Sequence, residues 1–125
     1  MIRVLIVDDD AAVRSVMAEL LSLYDLEVSV ASNGDDALEQ VRRSRFSVIV
    51  MDINMAVSDG LTTCRRLRNT GNTTPVIALT GKPGSPEAQE LRDSYGVPVL
   101  VKPPDVDELV AQIRRIHEAG PTATE

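Results

Sequence analysis

Three observations predict that this chain folds as an open, mostly parallel α/β sheet with helices on both faces. Its apolar residues switch repeatedly between short strand-like runs and a 3.6-residue helical period, five of each, the signature of alternating strands and helices. The third run, Phe46 to Met51, is apolar throughout except for Ser47, as suits a parallel strand covered on both faces. At 125 residues and 43% hydrophobic content, the chain has enough material for one ordinary domain with a real core. Short connections and right-handed crossovers then lead to a doubly wound sheet.

The elements follow in order. The first strand is expected over Ile2 to Val7. Asp10 can cap a helix whose apolar Val13, Val16, Met17, Leu20 and Leu21 fall on one face. Leu26, Val28 and Val30 alternate as a second strand. Ser32-Asn33-Gly34 is turn chemistry that opens a short helix with Ala37, Leu38 and Val41 inward. The third strand delivers Asp52, and a loop to Gly60 precedes a helix that buries Leu61, Cys64 and Leu67. Gly71 to Pro75 leads into a fourth strand, Val76 to Leu79, with Thr80 at its end. Ser85-Pro86-Glu87 starts a fourth helix, expected to be short and loosely tethered, from Pro86 to Ser94. A fifth strand, Val99 to Val101, precedes Lys102 and Pro103. The last helix opens with Asp105 and Glu108 as a capping box, turns Val106, Leu109, Val110, Ile113 and Ile116 inward, and stops at Gly120-Pro121. Residues 1–120 read as the domain and 121–125 as a tail.

Composition removes several function classes. A net charge of −6 argues against direct nucleic-acid binding, which calls for a basic excess. A single cysteine, Cys64, rules out an internal disulfide. No apolar stretch reaches the length of a signal sequence or a membrane span before a charge interrupts it, so no membrane insertion and a cytoplasmic setting are expected.

Chemistry gathers where the strands end. Asp8-Asp9 follow the first strand, Asp52 the third, Thr80 the fourth and Lys102 the fifth, and ligands of such sheets bind outside the strands' carboxyl ends. Taken singly, each has a plain explanation: an acidic helix cap for Asp8 to Asp10, a β-branched strand end for Thr80, a solvated lysine for Lys102. Their joint spacing points instead to phosphoryl chemistry at a divalent cation. For Asp10 alone the cap remains the reading. Asp59-Gly60 reads as turn and helix entry, His117 as a solvated helix-end residue, and Cys64 as a buried small hydrophobe.

The motifs Val-Asp-Asp-Asp (7–10), Met-Asp-Ile-Asn-Met (51–55) with Asp59-Gly60, Ala-Leu-Thr (78–80) and Lys102-Pro103 resemble the receiver domain of two-component response regulators, over residues 2 to about 117. The resemblance implies a flavodoxin-like five-stranded parallel sheet of order 2-1-3-4-5. It implies Asp52 as the acceptor of a phosphoryl group from a histidine kinase or histidine phosphotransfer protein, in a domain that is a switch more than a turnover enzyme and assists its own phosphorylation and dephosphorylation. The implied cofactor is Mg²⁺, for which Mn²⁺ can substitute, held by Asp9, Asp52 and the Asn54 backbone carbonyl, with Asp8 acting through water. Thr80 and Lys102 would meet the phosphoryl oxygens, Asn54 and Lys82 would flank the path of a hydrolytic water, and the Lys102-Pro103 bond would be cis. A downstream effector is implied but not named.

Four departures from the family pattern stand out. Ala56 occupies a position usually held by proline, which is expected to loosen the loop after Asn54. Val99 replaces a common switching Tyr or Phe, Tyr95-Gly96-Val97-Pro98 replaces a run of small residues, and Pro104 follows Pro103. Two other classes fit the residues less well. An aspartyl-nucleophile phosphatase would carry a second acid two residues after the nucleophile, where this chain has Asn54, and would need room for a cap domain. A binding-only pseudo-receiver would lack the acceptor or the acidic pair, and both are present.

Overall fold

The computed structural model describes residues 1–56 and 59–119. Five strands and five helices alternate: β1 (Ile2–Val7), α1 (Ala11–Ser22), β2 (Leu26–Ala31), α2 (Gly34–Arg43), β3 (Val48–Asp52), α3 (Gly60–Asn69), β4 (Val76–Thr80), α4 (Pro86–Tyr95), β5 (Val99–Val101) and α5 (Val106–Ala119). All neighbouring strands are parallel and the sheet order is β2-β1-β3-β4-β5. The expected tail, 121–125, and the Gly120-Pro121 stop lie outside the described residues.

Because successive strand residues point to opposite faces, each central strand feeds two cores. Leu5, Val7, Ile49, Met51 and Ala78 pack beneath α2, α3 and α4. Val4, Ile6, Val48, Val50, Ile77 and Leu79 pack beneath α1 and α5. The central strands β1, β3 and β4 thus bury side chains on both faces, which is why they read as continuous apolar runs. At roughly 1.5–3 kcal/mol for each large apolar side chain removed from water, these two layers supply the dominant drive to fold.

Local chemistry fixes the helix starts. Side chains of Asp10, Asn33, Asp59 and Ser85 accept from main-chain N–H groups of the first turns of α1 to α4, and Asp105 accepts from Glu108 N–H at the start of α5. Gly96 ends α4 in the left-handed region at φ 62°, where a missing Cβ removes the steric penalty. Asp25 adopts the same region without that advantage.

One helix face is only partly covered, and one expectation needs correction. The apolar face of α1 is wider than the surface the sheet offers: Met17 and Leu21 are buried, whereas Val13, Val16 and Leu20 are exposed, with Leu23 beyond them. The fourth helix is neither short nor loose. It has the same ten residues as α2 and α3, Ala88 and Leu91 are fully buried, and Arg92 donates to the Pro83 carbonyl at 2.9 Å. Two buried side chains one turn apart provide the anchor.

Candidate functional site

Strand register assembles the site. Val7 lies opposite Met51, so Asp8 comes level with Asp52 at the next position. Asp52 lies opposite Leu79, one residue before Thr80, and Thr80 lies opposite Val101, one residue before Lys102. Four strand ends thus bring residues from positions 8 to 102 to one rim.

Asp8, Asp9 and Asp52 each present a carboxylate oxygen within 4.8 Å of the other two. Asp8 and Asp52 are each only 4% exposed, and Asp9 is exposed. Burial pushes the Asp8 carboxyl above its ordinary range; the Asp10 N–H opposes that, and the neighbouring Asp52 charge adds to it. Lys102 Nζ lies 3.1 Å from Asp52 Oδ2, and the Asn54 N–H donates to Asp52 Oδ1 at 3.1 Å. Asp8 Oδ1 accepts the Asp10 N–H at 2.9 Å, and Asp9 Oδ2 accepts the Ala56 N–H at 2.8 Å.

The Thr80 hydroxyl is wholly buried, accepts from Lys82 N–H at 2.9 Å and donates to Asn54 Oδ1 at 3.4 Å. Asn54 therefore bridges toward Thr80 by its side chain, a contact the sequence reading did not anticipate. The Lys102-Pro103 bond is cis, as the resemblance implied. Asp10 caps α1 and Asp59 caps α3, and His117 is exposed and Cys64 buried, in line with their plain readings.

Three further residues shape the site. Arg14 donates to the Asp8 carbonyl at 2.8 Å, holding the turn that carries the acidic pair. Gly60 sits against β3's end, where an added Cβ would come within 2.9 Å of the Ile53 Cα and 3.0 Å of the Asp52 carbonyl oxygen. Ala56, expected to loosen its loop, instead contributes the N–H that reaches Asp9. The signal for it was the absence of proline, since only a non-proline residue has that donor.

Beside the acidic rim runs a groove of 560 Å³ whose walls include Val13, Val16, Leu20, Pro104 and Val106, with Asp52 and Lys102 at one end. Val16 is 54% exposed and Leu23, the residue just past the end of α1, 77%. Residues 13, 16 and 20 form an apolar stripe along α1 at helical spacing, and Leu23 continues it at the C-cap.

A doubly wound parallel sheet with a buried aspartate at the centre of its carboxyl rim, two acids beside it and a lysine paired to it defines a class: aspartate-centred signalling domains of the flavodoxin-like fold. The family model described as the response regulator receiver domain matches residues 4–114, and the chain belongs to that family. It is 40% identical over 114 residues to the response regulator MprA of Mycobacterium leprae, covering 91% of this chain and 50% of that protein. The chain spans about half the length of the curated relatives it matches. Among solved structures it is similar to the receiver domain of the Francisella response regulator 1452, at 28% identity and a TM-score of 0.85 over 95% of this chain and 98% of that one. It is similar also to the Vibrio cholerae chemotaxis protein CheY4, at 32% identity and a TM-score of 0.82 over 93% and 98%.

Receiver domains are signalling switches that interact with histidine kinases and effectors, and they generally bind Mg²⁺ in an acidic pocket. The residues here suit such an ion: three carboxylates offer hard oxygen donors within reach of one another, two of them nearly buried. Among the described residues no helix is long and apolar enough to cross a membrane.

Proposed function

We propose that Asp52 accepts a phosphoryl group from a histidine kinase or histidine phosphotransfer protein, and that the phosphorylated domain changes its binding to a downstream effector. The observation that carries this reading is a nearly buried carboxylate at the end of β3, ion-paired to Lys102 and surrounded by Asp8 and Asp9. The receiver unit is assigned to residues 1–120, with 121–125 as a tail, and its setting to the cytoplasm.

A carboxylate oxygen of Asp52 attacks phosphorus to form an acyl phosphate, while the bond from phosphorus to the donor's imidazole nitrogen breaks and its electron pair returns to that nitrogen. Lys102 pairs with Asp52 before transfer and afterwards with a phosphoryl oxygen, as a point charge. Thr80 exchanges its long hydrogen bond to Asn54 for one to a second phosphoryl oxygen. Asp9, Asp52 and the Asn54 carbonyl would hold Mg²⁺ directly, with Asp8 through water and Mn²⁺ as a substitute. The bound ion supplies neutralisation of the clustered negative charge. The same residues would assist hydrolysis of the acyl phosphate, with Asn54 and Lys82 flanking the water.

The α1 groove supports a protein donor. It is continuous with Asp52 and Lys102, and its apolar stripe has the spacing onto which a partner helix lays its own apolar face. A histidine on such a helix would arrive at the rim.

Labelling with acetyl phosphate tests the reading. Mass spectrometry is expected to show one phosphoryl group on Asp52, dependent on Mg²⁺ or Mn²⁺ and abolished by Asp52→Asn. Efficient labelling of that variant, or equal labelling in excess chelator, would remove the assignment. Failure of any labelling with intact metal binding would favour a binding-only domain.

A further inference from the structure

Each of the three clustered carboxylates has one oxygen held by a main-chain N–H. Asp8 is held by Asp10 and Asp52 by Asn54, both two residues away, so these bonds arise from local turn geometry. Asp9 is different. Its donor, Ala56, lies 47 residues along the chain at 2.8 Å, and Asp9 is the exposed member of the three, with no burial to restrict its side chain. The donor itself is well placed, because the preceding Met55 is buried in the core beneath α2 to α4. Proline at position 56, usual in the family this chain resembles, has no N–H and could not form the tie.

We infer that the Ala56 N–H is a positioning group for Asp9: it fixes one carboxylate oxygen so that the other faces Asp8 and Asp52, and so couples cation binding at the rim to the loop after β3. The inference rests on the proposed reading of these three carboxylates as a divalent-cation pocket. Its physical basis is that a carboxylate ligand oriented by a hydrogen bond binds metal without losing rotational freedom at that moment, and loss of such outer partners typically costs about 10- to 100-fold in metal affinity. The bond occupies Oδ2, and a carboxylate has a second oxygen to offer an ion.

The donor can be deleted alone by replacing Ala56 with its α-hydroxy analogue, lactate, which turns the amide into an ester and leaves the side chain unchanged. Ala56→Pro deletes it by a second route, and Ala56→Gly retains it. Mn²⁺ affinity, read by calorimetry and by electron paramagnetic resonance without any phosphodonor, is expected to fall about tenfold or more in the ester and in Ala56→Pro, and to stay within about twofold in Ala56→Gly. The Ala56 amide is expected to exchange slowly with solvent in the metal-free chain and to stay slow when Mg²⁺ is added. Unchanged Mn²⁺ affinity in the ester, or rapid Ala56 exchange once Mg²⁺ binds, would overturn the positioning role while leaving the pocket intact. No Mn²⁺ binding by the unaltered chain would overturn the pocket reading and this inference together.

Discussion

Gly60→Ala should disturb both stability and the acceptor loop. The added methyl carbon would lie 2.9 Å from the Ile53 Cα and 3.0 Å from the Asp52 carbonyl oxygen, both inside ordinary contact, which begins at 3.4 Å. Both obstacles are main chain, so neither can rotate away. Gly60 also donates its N–H to the Ile53 carbonyl at 2.8 Å, which keeps α3 from simply backing off. Overpacking of this kind costs about 1–3 kcal/mol. Alanine regains up to about 1 kcal/mol through helix propensity and lower unfolded-state entropy, and less at the first helical position. A net loss of about 1–2 kcal/mol remains. With a urea slope of about 2 kcal/mol/M, the unfolding midpoint should fall by about 0.5–1 M. Strain that reaches the Asp52 carbonyl should also slow acetyl phosphate labelling. Gly84→Ala is the control: its Cβ meets nothing within 4 Å, so its stability should stay within about 0.5 kcal/mol of the parent. If Gly60→Ala unfolds at the parental midpoint and labels at the parental rate, the close approach of α3 to β3 has no energetic weight and the reasoning fails.

Further outcomes are expected. Asp8→Asn should stabilise the metal-free protein at neutral pH: a carboxyl raised by burial favours the folded state fully below its ordinary value of 3.8 and loses that contribution as pH rises through the folded value. The variant's advantage in urea should vanish in acid and its Mg²⁺ affinity should drop; an advantage equal at all pH values would contradict the sign. Val16→Glu should slow phosphoryl transfer from a histidine phosphotransfer protein about tenfold or more, while acetyl phosphate labelling reports an intact pocket; equal slowing of both donors would show that the groove is not a docking face. Lys82 cannot accept a hydrogen bond from a hydrolytic water, so Lys82→Gln or Lys82→Glu should hasten decay of the acyl phosphate, and an unchanged half-life would place residue 82 off the water's path. A beryllofluoride mimic should shift amide resonances mainly from Thr80 to Tyr95, because Val99 has no ring to turn; shifts centred on Val99 and α5, with a quiet 81–95 segment, would refute this.

What the sequence made legible follows from what period and position encode. The buried strands β1, β3 and β4 declare themselves by continuous apolar runs, and residues just past strand ends must share a rim in a parallel sheet. Asp8, Asp52, Thr80 and Lys102 were therefore readable as neighbours before any coordinate. The α1 face was not, because periodicity shows that Val13, Val16 and Leu20 share a side with Met17 without showing how much sheet lies beneath them. Contacts of the main chain were equally silent. Nothing in the letters Ala56 or Arg14 says that a backbone donor reaches Asp9 or that a guanidinium reaches the Asp8 carbonyl, since both depend on loop paths set by tertiary packing. Gly60 was read correctly as helix entry, but its squeeze against β3 needed coordinates.

The cation that balances Asp52 rides on the margin of the sheet. β5 has three residues and one strand neighbour, and Val101, just before Lys102, is 52% exposed. The last rung of its ladder is the Lys102 N–H to the Thr80 carbonyl at 2.8 Å. Unzipping this end gives up few hydrogen bonds, each of about 0.5–1.5 kcal/mol net, yet it would draw the ammonium away from the carboxylate. Fraying of this edge would thus unmask a negative charge in the same motion, and a contact that clamped or pried β5 would change the surroundings of Asp52 without touching it.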